Sequence, residues 1–166
     1  MAKTRIEQTF DCDEDTYWNR VFLDDDFNQK LYAGHLQFPR WTVDKSHDTG
    51  DALERTITIV PKTGEIPKPI KKLIGDNIGY REEGRFDKTK KRYSCRIIPN
   101  SMADKATVLG EMWIEPQGTG IRRIFELTVT VKVFGVGGMV EKRIIEDTRK
   151  GYDDSYPFVV EHLRSL

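Results

Sequence analysis

The sequence predicts an α+β fold in which a curved antiparallel sheet of about seven strands holds one long C-terminal helix. Apolar residues alternate with polar ones in segment after segment between His35 and Phe134, the period of half-buried strands. At Gly135-Val136-Gly137-Gly138 the period changes: Val136, Val140, Ile144, Tyr152, Val159 and Leu163 follow at close to helical spacing, with Met139, Ile145, Tyr156 and Phe158 widening the stripe. Most of the strand-like segments are joined by short turn-forming stretches, which suits an antiparallel meander. A helix with one long apolar face has to lie against something, and the sheet is the only partner the chain offers.

Thr4 to Phe10 alternates and reads as the first strand. Asp11-Cys12-Asp13-Glu14 has the form of a capping box with Asp11 as N-cap, and Tyr17, Trp18, Val21 and Phe22 give the helix after it an apolar face. Asp24-Asp25-Asp26 starts a second short helix carrying Phe27 and Leu31, which Gly34 is expected to end. The following strand-like segments are His35 to Lys45, Ala52 to Val60, Asn77 to Phe86, Arg92 to Ile98, Ala106 to Ile114 and Ile121 to Phe134. Pro39 cannot donate to a ladder, so the first of these should be an edge strand or contain a bulge. Between the second and third, Pro61 to Gly75 places Ile66, Ile70, Leu73 and Ile74 on one helical face beside four lysines, a helix too short to be stable without packing on the body. Pro157 lies within the final helical pattern and predicts a kink or break between Gly151 and Pro157.

A chain of 166 residues fits one domain, residues 1–166, with a core and room for a cavity. Its 27 basic and 27 acidic residues cancel, against a nucleic-acid partner, which needs a positive excess. No run approaches the roughly 20 apolar residues of a membrane span, and no signal peptide is legible at Met1 to Arg5, so a cytoplasmic location is expected. Cys12 and Cys95 show no paired spacing and read as reduced thiols. Asp11, Asp13 and Asp15 begin like a calcium loop, but Thr16 stands where glycine is needed and Phe22 where the bidentate acid belongs. The three histidines have no ligand spacing, so neither metal nor cofactor is expected. The glycines at 135, 137 and 138 resemble a dinucleotide fingerprint only superficially, because Val140 stands at the third glycine position and the strands alternate. They read as a hinge that lets the helix start close to the sheet.

The opening strand leading to Tyr17-Trp18, the helix from Asp24 to Leu31, the Ile66-Pro67 to Leu73 segment, and the run from Val131 to Glu141 with its Gly137-Gly138 hinge resemble the START-like, or SRPBCC, superfamily of helix-grip proteins. That superfamily includes lipid-transfer, polyketide-cyclase and pollen-allergen (Bet v 1-like) proteins. More narrowly, the chain resembles the bacterial DUF2505 family over nearly its whole length. The resemblance implies an apolar ligand cavity between sheet and helix, and no single chemistry.

No nucleophile or zinc-hydrolase motif is present, and no catalytic residue is assigned. The expected function is binding or transport of a small hydrophobic or amphipathic, lipid-like ligand; the alternative is a cyclase- or hydratase-like enzyme using Glu, Arg and Tyr groups. An interaction domain whose interior its own side chains fill is a third class. Glu82 and Arg123 fall in phase with inward residues, either as ligand anchors or turned outward by bulges. The expected ligand-contacting set is Arg123, Glu82, Tyr80, Tyr93 and Tyr152, with Met112, Phe125, Leu127, Val140 and Ile144 around the apolar part. Arg123 would hold an anionic head group. Ile66, Ile70 and Leu73 would gate the mouth, on a segment whose lysines suit transient contact with an anionic bilayer.

Overall fold

In the computed structural model, which describes residues 1–166, one antiparallel sheet runs in the order β1-β7-β6-β5-β4-β3-β2. Its strands are β1 (Ala2–Phe10), β2 (Arg40–Asp48), β3 (Ala52–Val60), β4 (Tyr80–Asp87), β5 (Arg92–Pro99), β6 (Ala106–Gln117) and β7 (Gly120–Val131). The helices are α1 (Glu14–Tyr17), α2 (Asp25–Gln29), α3 (Lys68–Ile74) and α4 (Gly137–Arg164). Helix α4 packs on β1 and β7, burying Val140 and Val159 in the same core as Phe125, Leu127 and Val129. β2 is an edge strand, Pro39 falls just before it, and its register slips between Val43 and Lys45.

The hinge works by close approach. A Cβ on Gly137 would stand 2.3 Å from the Val131 carbonyl oxygen, a distance no side chain tolerates. Glu141, one turn on, accepts a hydrogen bond from the Val131 N–H at 2.8 Å and so ties the first turn of α4 to the last residue of β7.

Three local expectations are corrected. Asp13, not Asp11, caps α1, accepting from the Thr16 N–H at 2.7 Å. Gly34 does not end the second helix: α1 continues as a π-helical turn over Trp18–Phe22 and α2 as another over Lys30–His35, and the chain reverses at Gln37 with φ 58°. Helix α4 is continuous through Pro157, so of the expected kink or break the break does not occur. Proline removes one hydrogen bond, and the flanking carbonyls are held from outside, Tyr152 O by the Gln8 side-chain amide at 3.1 Å and Asp154 O by the His35 ring at 3.0 Å.

Candidate functional site

Two adjoining spaces open between sheet and helix. The larger is a cleft of about 850 Å³ bounded by α3 and the segment before it, the Leu36–Phe38 turn, residues of β4 to β6 and α4 from Val140 to Pro157. Its apolar wall includes Ile66, Ile70 and Ile74 from the α3 segment, Val140 and Ile144 from α4, and Val108 from β6. Its rim is charged, with Lys62, Arg143, Asp147 and Lys150 among the lining residues. Arg143 spans the mouth, donating to the Glu65 carbonyl at 2.7 Å while pairing with Asp147 at 2.9 Å, and so latches the segment before α3 to α4. The lysines at 68, 71 and 72 are exposed, while Ile70 is buried.

The smaller space is an inner chamber of about 70 Å³ lying deeper under the sheet's concave face. Tyr80 lines both spaces and stands between them. The chamber's floor comes from the pleat: Glu82 pairs with Ile57 on β3 and Ile97 on β5 in unbroken register, so no bulge turns it outward. Tyr93 donates its hydroxyl to Glu82 Oε2 at 2.5 Å. That ring lies over Gly84, where a Cβ would stand 1.8 Å from the tyrosine oxygen, so only glycine leaves the space for it. Phe125 occupies the space above Gly110 in the same way.

The chamber is chemically mixed. Arg55, 5% exposed, lines it and pairs with Asp25 at 2.8 Å, while its Nε–H has no partner. Tyr32, Tyr80 and Tyr152 line it with hydroxyls that bond to no protein group. Glu82 is half-buried and lines the chamber. Burial accordingly raises its pKa above the ordinary glutamate value, against the opposing pulls of the Tyr93 hydrogen bond and the Arg55 charge. Burial also pushes the Tyr93 hydroxyl and the Cys95 thiol well above their usual ranges.

The sign of the Glu82 shift gives a test. A carboxyl raised on folding favours its neutral form, so its contribution is fully present below about pH 4.5 and is lost as pH rises through the folded-state value. Glu82→Gln, which keeps the shape and stays neutral, should therefore gain melting temperature relative to the parent as pH rises from 4 to 8. A difference that stays flat across that range would show that Glu82 ionises as freely as a surface carboxylate.

The residues named from the sequence divide among these places. Tyr80 touches both spaces; Glu82, Tyr93, Met112, Phe125 and Tyr152 line the chamber; Val140, Ile144, Ile66 and Ile70 line the cleft. Three do not line either. Leu73 packs against the core instead, because α3 begins after Pro67 and puts Ile70 and Ile74, one turn apart, toward the cleft. Leu127 is 1% exposed within the core.

Arg123 is also inward but lines neither the cleft nor the chamber. It is 4% exposed, donates to the Tyr17 hydroxyl at 2.5 Å and to Gln8, its cross-strand neighbour on β1, and is enclosed by the rings of Phe10, Tyr17 and Tyr152. The expected head-group anchor is a cation caged by the protein's own aromatics. Sequence reading missed Phe22, Tyr32, Trp41 and Arg55, all of which line the chamber.

The structure is similar to several solved proteins over their full lengths. They include the crystal structure of TTHA0849 from Thermus thermophilus (TM-score 0.69, 16% identity, covering 99% of this chain and 98% of that one). The crystal structure of the Zhui aromatase/cyclase from Streptomyces sp. R1128 follows (0.63, 8% identity, 98% and 94%), as does that of Ara h 8.0201 (0.62, 10% identity, 96% and 98%). At these identities the likenesses establish the fold alone. No curated protein matches the sequence. A family model described as "Protein of unknown function (DUF2505)" matches residues 5–163.

Proposed function

The chain belongs to the DUF2505 family and has the helix-grip fold of the SRPBCC, Bet v 1-like proteins, and from that premise we propose that it binds a small hydrophobic or amphipathic molecule in the cleft between α3, the sheet and α4. The observation that carries this reading is the cleft itself. At about 850 Å³ it is of ligand size, its isoleucine and valine wall is apolar, and its mouth is bordered by a short helix whose preceding segment Arg143 latches to α4. A short helix that leans on the body for stability is the kind of segment that opens at low cost. No helix is long and apolar enough to cross a membrane.

1-Anilinonaphthalene-8-sulfonate is a suitable probe, since its rings fit an apolar cleft and its fluorescence reports burial. Ile144→Trp places an indole in the cleft from a half-buried position on α4, into open space rather than into the packed core. It should weaken probe binding by at least about tenfold, about 1.4 kcal/mol, with near-ultraviolet circular dichroism otherwise preserved. Equal affinity in parent and variant would remove the cleft as the binding site.

A second reading is favoured by one observation, the Glu82–Tyr93 pair. A carboxyl with a raised pKa, 2.5 Å from a phenol at the wall of an enclosed chamber, is equipped for proton transfer. In that reading the chain is a cyclase- or hydratase-like enzyme that uses the cleft to bind its substrate and Glu82 to move the proton. Loss of turnover in Glu82→Gln with unchanged probe binding would favour it over simple carriage.

A further inference from the structure

The inner chamber has a donor and acceptor pattern of its own, distinct from the apolar cleft. Glu82 Oε1 has no protein partner and can accept, and the hydroxyls of Tyr32, Tyr80 and Tyr152 can do either. Its charges are balanced. Arg55 is paired with Asp25 at 2.8 Å, and Glu82 already accepts from Tyr93. An ammonium group entering would meet the Arg55 guanidinium, and a carboxylate or phosphate would meet Glu82, so neither ion gains a free opposite charge. A hydroxyl group meets no such conflict, because its hydrogen donates to the Glu82 carboxyl while its oxygen accepts from a tyrosine hydroxyl. The size agrees: about 70 Å³ holds roughly two groups of water's size, since one water occupies about 30 Å³ of liquid.

We propose that the chamber is a hydroxyl-recognition subsite, so that the molecule bound in the cleft is a neutral alcohol or phenol whose head group passes Tyr80 into the chamber while its apolar body stays among Ile70, Val108, Val140 and Ile144. This deepens the binding reading above and rests on it. Tyr80 lines both spaces, and its hydroxyl is bonded to no protein group. The aromatic walls of the chamber, Trp41, Phe125 and Tyr152 among them, leave few places for water, so a hydroxyl left without partners there would be costly and one with partners is selected.

The test is displacement of bound 1-anilinonaphthalene-8-sulfonate by four probes of equal heavy-atom count: 1-decanol, nonyl methyl ether, decylammonium and nonanoate. Decanol should displace the fluorophore at a concentration about tenfold below each of the others, the scale of one well-placed hydrogen bond in an enclosed site. In Glu82→Met, which keeps the volume and removes the acceptor, that preference should fall to within about twofold, the size of an effect that needs no hydrogen bond. Ether binding as tight as alcohol, or an equal or greater affinity for either ion, would overturn the subsite while leaving the cleft as a binding site. If neither the fluorophore nor any of the four binds, both this inference and the binding reading fall. Should Glu82→Met fail to fold, the four-probe series on the unaltered protein still decides the matter.

Discussion

Arg123→Ala is expected to destabilise the protein by about 3 kcal/mol while leaving the cleft of the molecules that do fold able to bind its probe. The side chain is 4% exposed and stacked among Phe10, Tyr17 and Tyr152, so truncation empties the centre of an aromatic cluster. It also strands the Tyr17 hydroxyl, itself on a residue 1% exposed, whose donor at 2.5 Å is lost. Leaving such a group unsatisfied costs about 1–3 kcal/mol. Arg123→Met should cost less than Arg123→Ala, because refilling the volume with apolar atoms restores the packing and removes a cation that has no carboxylate partner. Urea unfolding of both variants, with probe titration of each, checks the order. A variant of normal stability that has lost affinity for an anionic ligand would return Arg123 to the head-group role its strand phase first suggested.

Gly84→Ala is the second large effect, expected at about 2 kcal/mol by overpacking. The added Cβ would lie 1.8 Å from the Tyr93 oxygen and 2.4 Å from its ring, so the tyrosine must leave its place over β4. Its hydrogen bond to Glu82 goes with it. Because that bond holds the Glu82 pKa down against burial, the carboxyl should titrate still higher in the variant. Carbon-detected NMR of the glutamate carboxyls gives the direction. An unchanged Glu82 titration with near-parental stability would mean that the Tyr93 ring does not depend on the bare backbone at Gly84.

The architecture was legible because the two periods are kept apart in the sequence. Each strand set, such as Ile57 with Ile59 or Val129 with Val131, sits on one side of the pleat, and the switch falls at glycines one of which is sterically required. The same phase rule placed Glu82 and Arg123 inward and, applied to β3, would have found Arg55, which stands between Leu53 and Ile57 and is buried.

What phase does not reveal is depth. Arg123 and Glu82 share a face of the sheet, yet α4 lies over β1 and β7 and fills the space near Arg123, while the sheet around Glu82 is left uncovered enough for a chamber. The π-helical turns had no signal in a pattern read at 3.6 residues per turn, and Phe22 and Tyr32 reach the chamber from them. Leu73 lost its place at the mouth to Ile74 through the starting phase of a seven-residue helix, a detail set by Pro67 rather than by hydrophobicity.

Uptake of an apolar molecule by the cleft under α3 is the central claim, and isoleucine-methyl NMR tests it residue by residue. Titration with 1-anilinonaphthalene-8-sulfonate should move the methyl signals of Ile66, Ile70, Ile74 and Ile144, which line the cleft, and leave Ile124, fully buried and lining neither space, where it was. Probe fluorescence without movement of those four signals, or with the largest shift at Ile124, would contradict it.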